Sequence, residues 1–213
     1  MASSDSEVGN SALKRLGVGL IVNLNDGSDQ ATVLNTIYAN TRDRILRELA
    51  WNFAQFRVQL ASDPTKTPVF GYNYAYPLPT KPLCLRVNEV NPDDAVYDIE
   101  NTIDSTGAIQ GKVIVTDEPS IQIRYTGQVT DPTLFDPSFV EALASDLAAQ
   151  IAYPLTESEA KTKAAMAWAK SALEHAQTVN SQEGSTRLAD NNVLVEIRRH
   201  GFIEDFNRNR NSI

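Results

Sequence analysis

Apolar residues first recur with a helical period between Ser6 and Leu16, where Val8, Ala12, Leu13 and Leu16 share one face and Gly17 follows as a stop. A linker, GVGLIVNLNDGSD, carries the turn signal Asn25-Asp26-Gly27. The pattern then predicts a second helix from Ser28 or Asp29 to about Ala50. Its stripe is Leu34, Tyr38, Ile45 and Leu49, widened by Val33, Ile37 and Leu46. Arg42, Asp43, Arg44, Arg47 and Glu48 fall on the opposite, solvated face, with Asp43 and Arg47 spaced for an i,i+4 pair.

After Trp51-Asn52-Phe53 the period shortens to two. Phe56, Val58 and Leu60 alternate with Arg57 and Gln59, as in a half-buried strand. Further strands are expected at Leu83–Val90, Ala95–Glu100, Lys112–Thr116 and Ser120–Tyr125. Turn signals at Asn91-Pro92-Asp93, Ser105-Thr106-Gly107 and Asp117-Glu118-Pro119 separate them. Short alternating segments at this spacing predict a small antiparallel sheet or sandwich. The helical period returns after Asp136-Pro137, an N-cap followed by a residue preset for the first turn. Phe139, Val140, Leu143, Leu147 and Ile151 form its face, and Pro154 is expected to end it. Thr156 and Glu159 read as a capping box opening a last, alanine-rich helix to about Asn180, whose small side chains predict close neighbours.

The expected fold class is α+β. Helices from the two ends of the sequence pair as an antiparallel four-helix bundle, and the β block is inserted between them. The boundaries read as 1–54 and 131–180 for the two halves of the bundle, 55–130 for the β domain and 181–213 for a C-terminal arm. Val193, Val195, Ile197, Phe202, Ile203 and Phe206 make that arm too apolar for a disordered tail and suit it to ordering against a neighbour.

Composition narrows the function classes. At 213 residues the chain can bury a core without metal or disulfide. A single cysteine, Cys84, rules out an internal disulfide and a cysteine-rich zinc site. No apolar run is long enough to span a membrane, and the first residues lack the pattern of a secretory signal. The net charge of −8 argues against a protein that grips a phosphate backbone and suits a surface past which DNA slides.

Candidate chemistry is sparse. His175 and His200 have no metal-ligand spacing to another His or Cys. Cys84 sits in an expected strand with no nearby histidine to activate it, so it reads as a small buried residue. Glu157/Glu159 and Asp93/Asp94 are the carboxylate pairs a hydrolase could use, but an acid-rich chain contains such pairs by chance. Phe70, Tyr72, Tyr74 and Tyr76 alternate among prolines, which suits a core or subunit interface at a sheet edge. A sugar- or base-stacking platform would carry the same residues. Arg198, Arg199, Arg208 and Arg210 are the best candidates for phosphate contact, but, interleaved with acids, they suit salt bridges to a protein partner better. With Phe202, Phe206 and the three tyrosines they are the candidate interface residues; no catalytic, cofactor or metal residue is expected.

Three stretches, in order, carry a resemblance that runs to about residue 180. They are Arg15-Leu16-Gly17 with the later RDRILREL; the WNFA, FGYNYAYPLP and CLRV run; and FDPSFVEALASDLAAQIAYPLTES. In these the chain resembles the tail tubular protein A family of short-tailed bacteriophages, the head-to-tail adaptors. The resemblance implies a non-enzymatic virion protein, made in the host cytoplasm. It implies a homo-oligomeric ring, a dodecamer, between the portal protein and the tail nozzle (tail tubular protein B), through which DNA passes without specific binding. The competing expectations are a tail-associated cell-wall hydrolase and a carbohydrate- or nucleic-acid-binding module.

Overall fold

A computed structural model describes residues 4–103 and 106–183. The chain divides into two units, Met1–Ser181 and Gln182–Ile213, and the first holds every strand among the described residues. The architecture is mixed α+β, with four helices and two small antiparallel sheets among those residues.

Helix α1 spans Asp5–Leu16. The Ser4 hydroxyl accepts from the Glu7 amide at its start, and Gly17 at φ 68° donates back to Leu13 and Lys14 at its end. That left-handed turn costs a glycine little, which is why the stop falls there. Helix α2, Asp29–Glu48, is capped by Ser28 and buries Leu34, Tyr38, Ile45 and Leu46 along the expected stripe. One residue of its supposed solvated face is misassigned. Arg42 is 7% exposed, and its guanidinium lies 2.8 Å from Asp43. Asp43 also accepts from Gln128 at 2.6 Å, so the expected Asp43–Arg47 pair does not form. A planar five-donor head next in sequence, already inside the fold, outcompetes an exposed i,i+4 partner.

The aromatic junction follows. Trp51 is 1% exposed, donates its indole N–H to the Ile45 carbonyl at 2.9 Å and meets Phe139 edge-on at 5.1 Å. After a single 3-10 turn, Asn52–Ala54, the chain enters strand β1, Gln55–Gln59. Strands β2 (Tyr74–Pro77), β3 (Cys84–Asn91), β4 (Tyr97–Ile103), β5 (Ile109–Thr116) and β6 (Gln122–Gly127) complete two sheets, ordered β1-β6-β3 and β2-β5-β4. Tyr76 and Ile114 of the second sheet meet Cys84, Val90, Ile123 and Tyr125 of the first, forming an apolar layer between them. Phe56 touches both this layer and the helical core.

Helix α3, Pro137–Thr156, is the centre of the helical core and packs against both α1 and α2. Asp136 caps it, accepting from the Ser138 amide at 2.7 Å, and Phe139, Leu143, Leu147 and Ile151 are fully buried. Pro154 does not end the helix, as expected, but lies inside its last turn. A proline there forfeits one backbone bond, while Thr156 Oγ1 donates to Ala152 O at 2.6 Å and Glu157 N to Tyr153 O at 2.9 Å. Thr156 is therefore not the cap of the next helix. Ser158 takes that place, accepting from Lys161 N at 3.4 Å, and α4 runs Glu159–Gln182.

The expected antiparallel four-helix bundle is not confirmed. The alanines of α4 predict a close-packing surface, yet Ala165 and Ala176 are its only buried residues. Alanine favours helix wherever it stands, so a run of it marks a helix without marking a core. The helix is held at its ends instead: Lys161 Nζ donates to Leu16 O at 2.8 Å, and Asn180 bonds Ala50 and Asn52.

Candidate functional site

The three candidate tyrosines separate by role. Tyr76 is 1% exposed in β2 and donates to the Glu118 carbonyl at 2.7 Å, a core residue with a satisfied hydroxyl. Burial is the first cause that pushes its phenol above the usual range. Tyr74, in the same edge strand, is 36% exposed and tilts against Tyr76 at 6.4 Å between ring centres. Tyr72 donates to the Asp98 carboxylate of β4 at 2.8 Å, and that hydrogen bond is the main cause raising its pKa. The three do not form a flat stacking face. Arg198, Arg199, Phe202, Phe206, Arg208 and Arg210 lie outside the described residues.

Exposed apolar side chains gather elsewhere. Phe70 and Val69 on the β1–β2 connection are 87% and 98% exposed, and Ile99, Ile103 and Ile109 project from β4 and the start of β5. Strand β4 lies at the edge of its sheet, with no described strand on its outer side. On α4, Met166 and Trp168 are 57% and 50% exposed. Large exposed apolar groups of this kind mark contact surfaces more often than chemistry. The sequence pattern missed the β4–β5 surface because Ala95–Glu100 was placed too early, and its alternation hid how far the paired strands extend.

A groove of about 680 Å³ lies between α2 and the two sheets. Leu78, Pro79, Leu83, Cys84 and Leu85 make an apolar floor. Arg44 and Arg47 come from the C-terminal half of α2, and Lys112 comes from β5. Arg44 is already paired with Glu48 and Asp146. Arg47 and Lys112 have no ion-pair partner among the described residues and are exposed. Burial raises the Cys84 thiol above its usual range, and no histidine lines the groove. That is the environment of an inert, packed cysteine, as its sequence setting suggests.

A smaller cleft of about 410 Å³ lies where α4 crosses α1 and α3, lined by Arg15, Glu141, Ser145, Trp168 and His175. Arg15 is spoken for by Glu141 at 2.6 Å and by the Ser145 hydroxyl, so the cleft has a neutralised cation and an aromatic wall. Of the carboxylates a hydrolase could use, Glu157 and Glu159 have structural duties. Glu157 is the left-handed C-cap of α3 at φ 50°, and Glu159 stands in the first turn of α4, 3.8 Å from Lys163. No cluster of three or more His, Cys, Asp or Glu residues suited to a metal occurs among the described residues. No described helix is long and apolar enough to cross a membrane. No protein-family model matches the chain, and no curated protein does.

Proposed function

We propose that this chain is a non-enzymatic structural component of a short-tailed phage particle, a head-to-tail adaptor that assembles with copies of itself. The observation that carries the reading is the pairing of two features. The WNFA, FGYNYAYPLP and CLRV run resembles the adaptor family, and the described unit leaves apolar groups exposed both on the β4–β5 surface and on α4. A protein that closes a ring uses two different patches of one subunit, and these are two candidate patches. On this reading the particle is a twelve-membered ring between portal protein and tail nozzle, located in the virion, with DNA passing through. The acidic balance of −8 favours passage over retention. No cofactor is required. The four helices act as an antiparallel bundle completed on assembly, when a neighbouring copy covers the α4 face that carries Met166 and Trp168.

Electron microscopy of the purified chain mixed with portal protein tests this. The expected result is a ring of added density on the portal; absence of both ring and portal binding overturns the proposal.

A further inference from the structure

The groove between α2 and the sheets has the chemistry of a peptide-docking site, and the chain itself supplies a matching segment. Its floor is apolar, and two of its cations, Arg47 of α2 and Lys112 of β5, form no ion pair among the described residues. The acid of the lining, Asp43, is held by Arg42 and Gln128, so the two cations leave a basic spot on a protein of net charge −8. The volume, about 680 Å³, falls in the range of sites that enclose a few side chains. The occupant the groove selects is a short segment with aromatic or aliphatic groups for the floor and carboxylates for the rim.

In the C-terminal arm, outside the described residues, the run Phe202-Ile203-Glu204-Asp205-Phe206 has this composition: three large apolar side chains around two adjacent acids. Asn180, near the end of α4, donates to Ala50 O at 3.0 Å and accepts from Asn52 N at 3.0 Å. Asn180 therefore stands beside the C-terminal end of α2, the helix that supplies Arg44 and Arg47. Phe202 lies twenty residues beyond Gln182, a span that can extend about 65 Å and reach an adjacent subunit.

We infer that the segment Phe202–Phe206 of one copy docks in the α2–sheet groove of a second copy, its aromatic rings on the Leu78–Leu85 floor and its carboxylates between Arg47 and Lys112. Groove and segment are different surfaces of one chain, so the contact is heterologous and propagates from copy to copy. This rests on self-assembly of the kind proposed above and names the surfaces that carry it; it requires neither a phage portal nor any particular ring size.

Disulfide trapping in the full chain tests it. Thr80, exposed on the groove wall, is changed to Cys together with Phe202→Cys in a Cys84→Ser background. Mild oxidation is expected to give a ladder of covalently joined chains on a non-reducing gel. Adding Arg47→Glu and Lys112→Glu should reduce the ladder about tenfold. Pairing Phe202→Cys with Thr32→Cys, exposed in the first turn of α2, supplies the background. A ladder no stronger than that background overturns the inference, as does a product confined to monomers closed on themselves. A labelled peptide of residues 197–208 gives a second readout on the full chain carrying Phe202→Ser and Phe206→Ser. Saturable binding lost with the charge-reversed groove supports the inference, and binding indifferent to that reversal refutes it. Because neither assay contains portal protein, their failure is distinct from a failure to form the adaptor ring. Circular dichroism of each variant confirms that a negative result comes from folded protein.

Discussion

Gly127 shows how a single hydrogen can set the spacing of this fold. A Cβ built there would lie 2.7 Å from two ring carbons of Phe56 and 3.0 Å from Pro82 Cβ. Phe56 cannot retreat freely, because its ring is stacked at 5.7 Å against Tyr125. Gly127→Ala should therefore cost about 1–3 kcal/mol through overpacking, read from the urea midpoint. Phe56→Leu in the same chain should recover part of the loss, whereas additive losses would show that the strain lies elsewhere. Two exposed carboxylates work at the same scale. Asp63 and Asp131 each accept from the hydroxyl and the amide of the threonine two residues on, and those bonds hold both below the usual 3.8. A carboxyl depressed on folding stabilises above its unfolded pKa and loses that contribution as pH falls through the folded value. Stability should thus decline below roughly pH 4, and Asp63→Asn with Asp131→Asn should flatten that limb of a urea-midpoint series.

At the scale of elements, the decisive contrast is between α3 and α4. Both were legible as helices, but only α3 buries a continuous face, from Phe139 through Ile151. The difference lies in side-chain size: Leu143, Leu147 and Ile151 recur at helical spacing, while α4 offers methyl groups that any surface tolerates. Sequence alone also found the Asp136 cap, the Gly17 stop and five of the six strands to within a few residues. It gave β2 no bounds, although the prolines around Tyr72–Tyr76 point to an edge or loop, and β2 does lie at the edge of its sheet. Nor could it find the groove, since Cys84 of β3 and Lys112 of β5 belong to different sheets, and only the packing of those sheets and of α2 against β3 brings them to one groove with Arg47. The thin packing of α4 has a measurable outcome. Its central amides should exchange with deuterium well before those of α3, by local opening that leaves the rest protected. Equal protection along both helices would show that the contacts at its two ends are enough to hold its whole length.

For the whole molecule, the division at Ser181 makes a further outcome specific. The described unit has a continuous helical core and an apolar layer between two sheets, both built from residues before that point. Ending the chain after Ser181 should leave the cooperative unfolding transition in place while weakening self-association in sedimentation measurements. Global loss of structure in the shortened chain would mean that the final residues complete the core. An assembly that survives the truncation would shift the burden to the β4–β5 surface, where Ile99, Ile103 and Ile109 are exposed.

The chain has two tryptophans, and the fold has given them opposite surroundings. Trp51 is sealed at the helix-to-sheet junction against Phe53 and Phe139, whereas Trp168 stands half in solvent on α4. Their emission should separate by colour, blue from the sealed indole and red from the wet one. The protein thus carries its own two-channel optical probe. Denaturant moves the blue component first to last with the fold, and docking on α4 moves the red component while the blue one stays still.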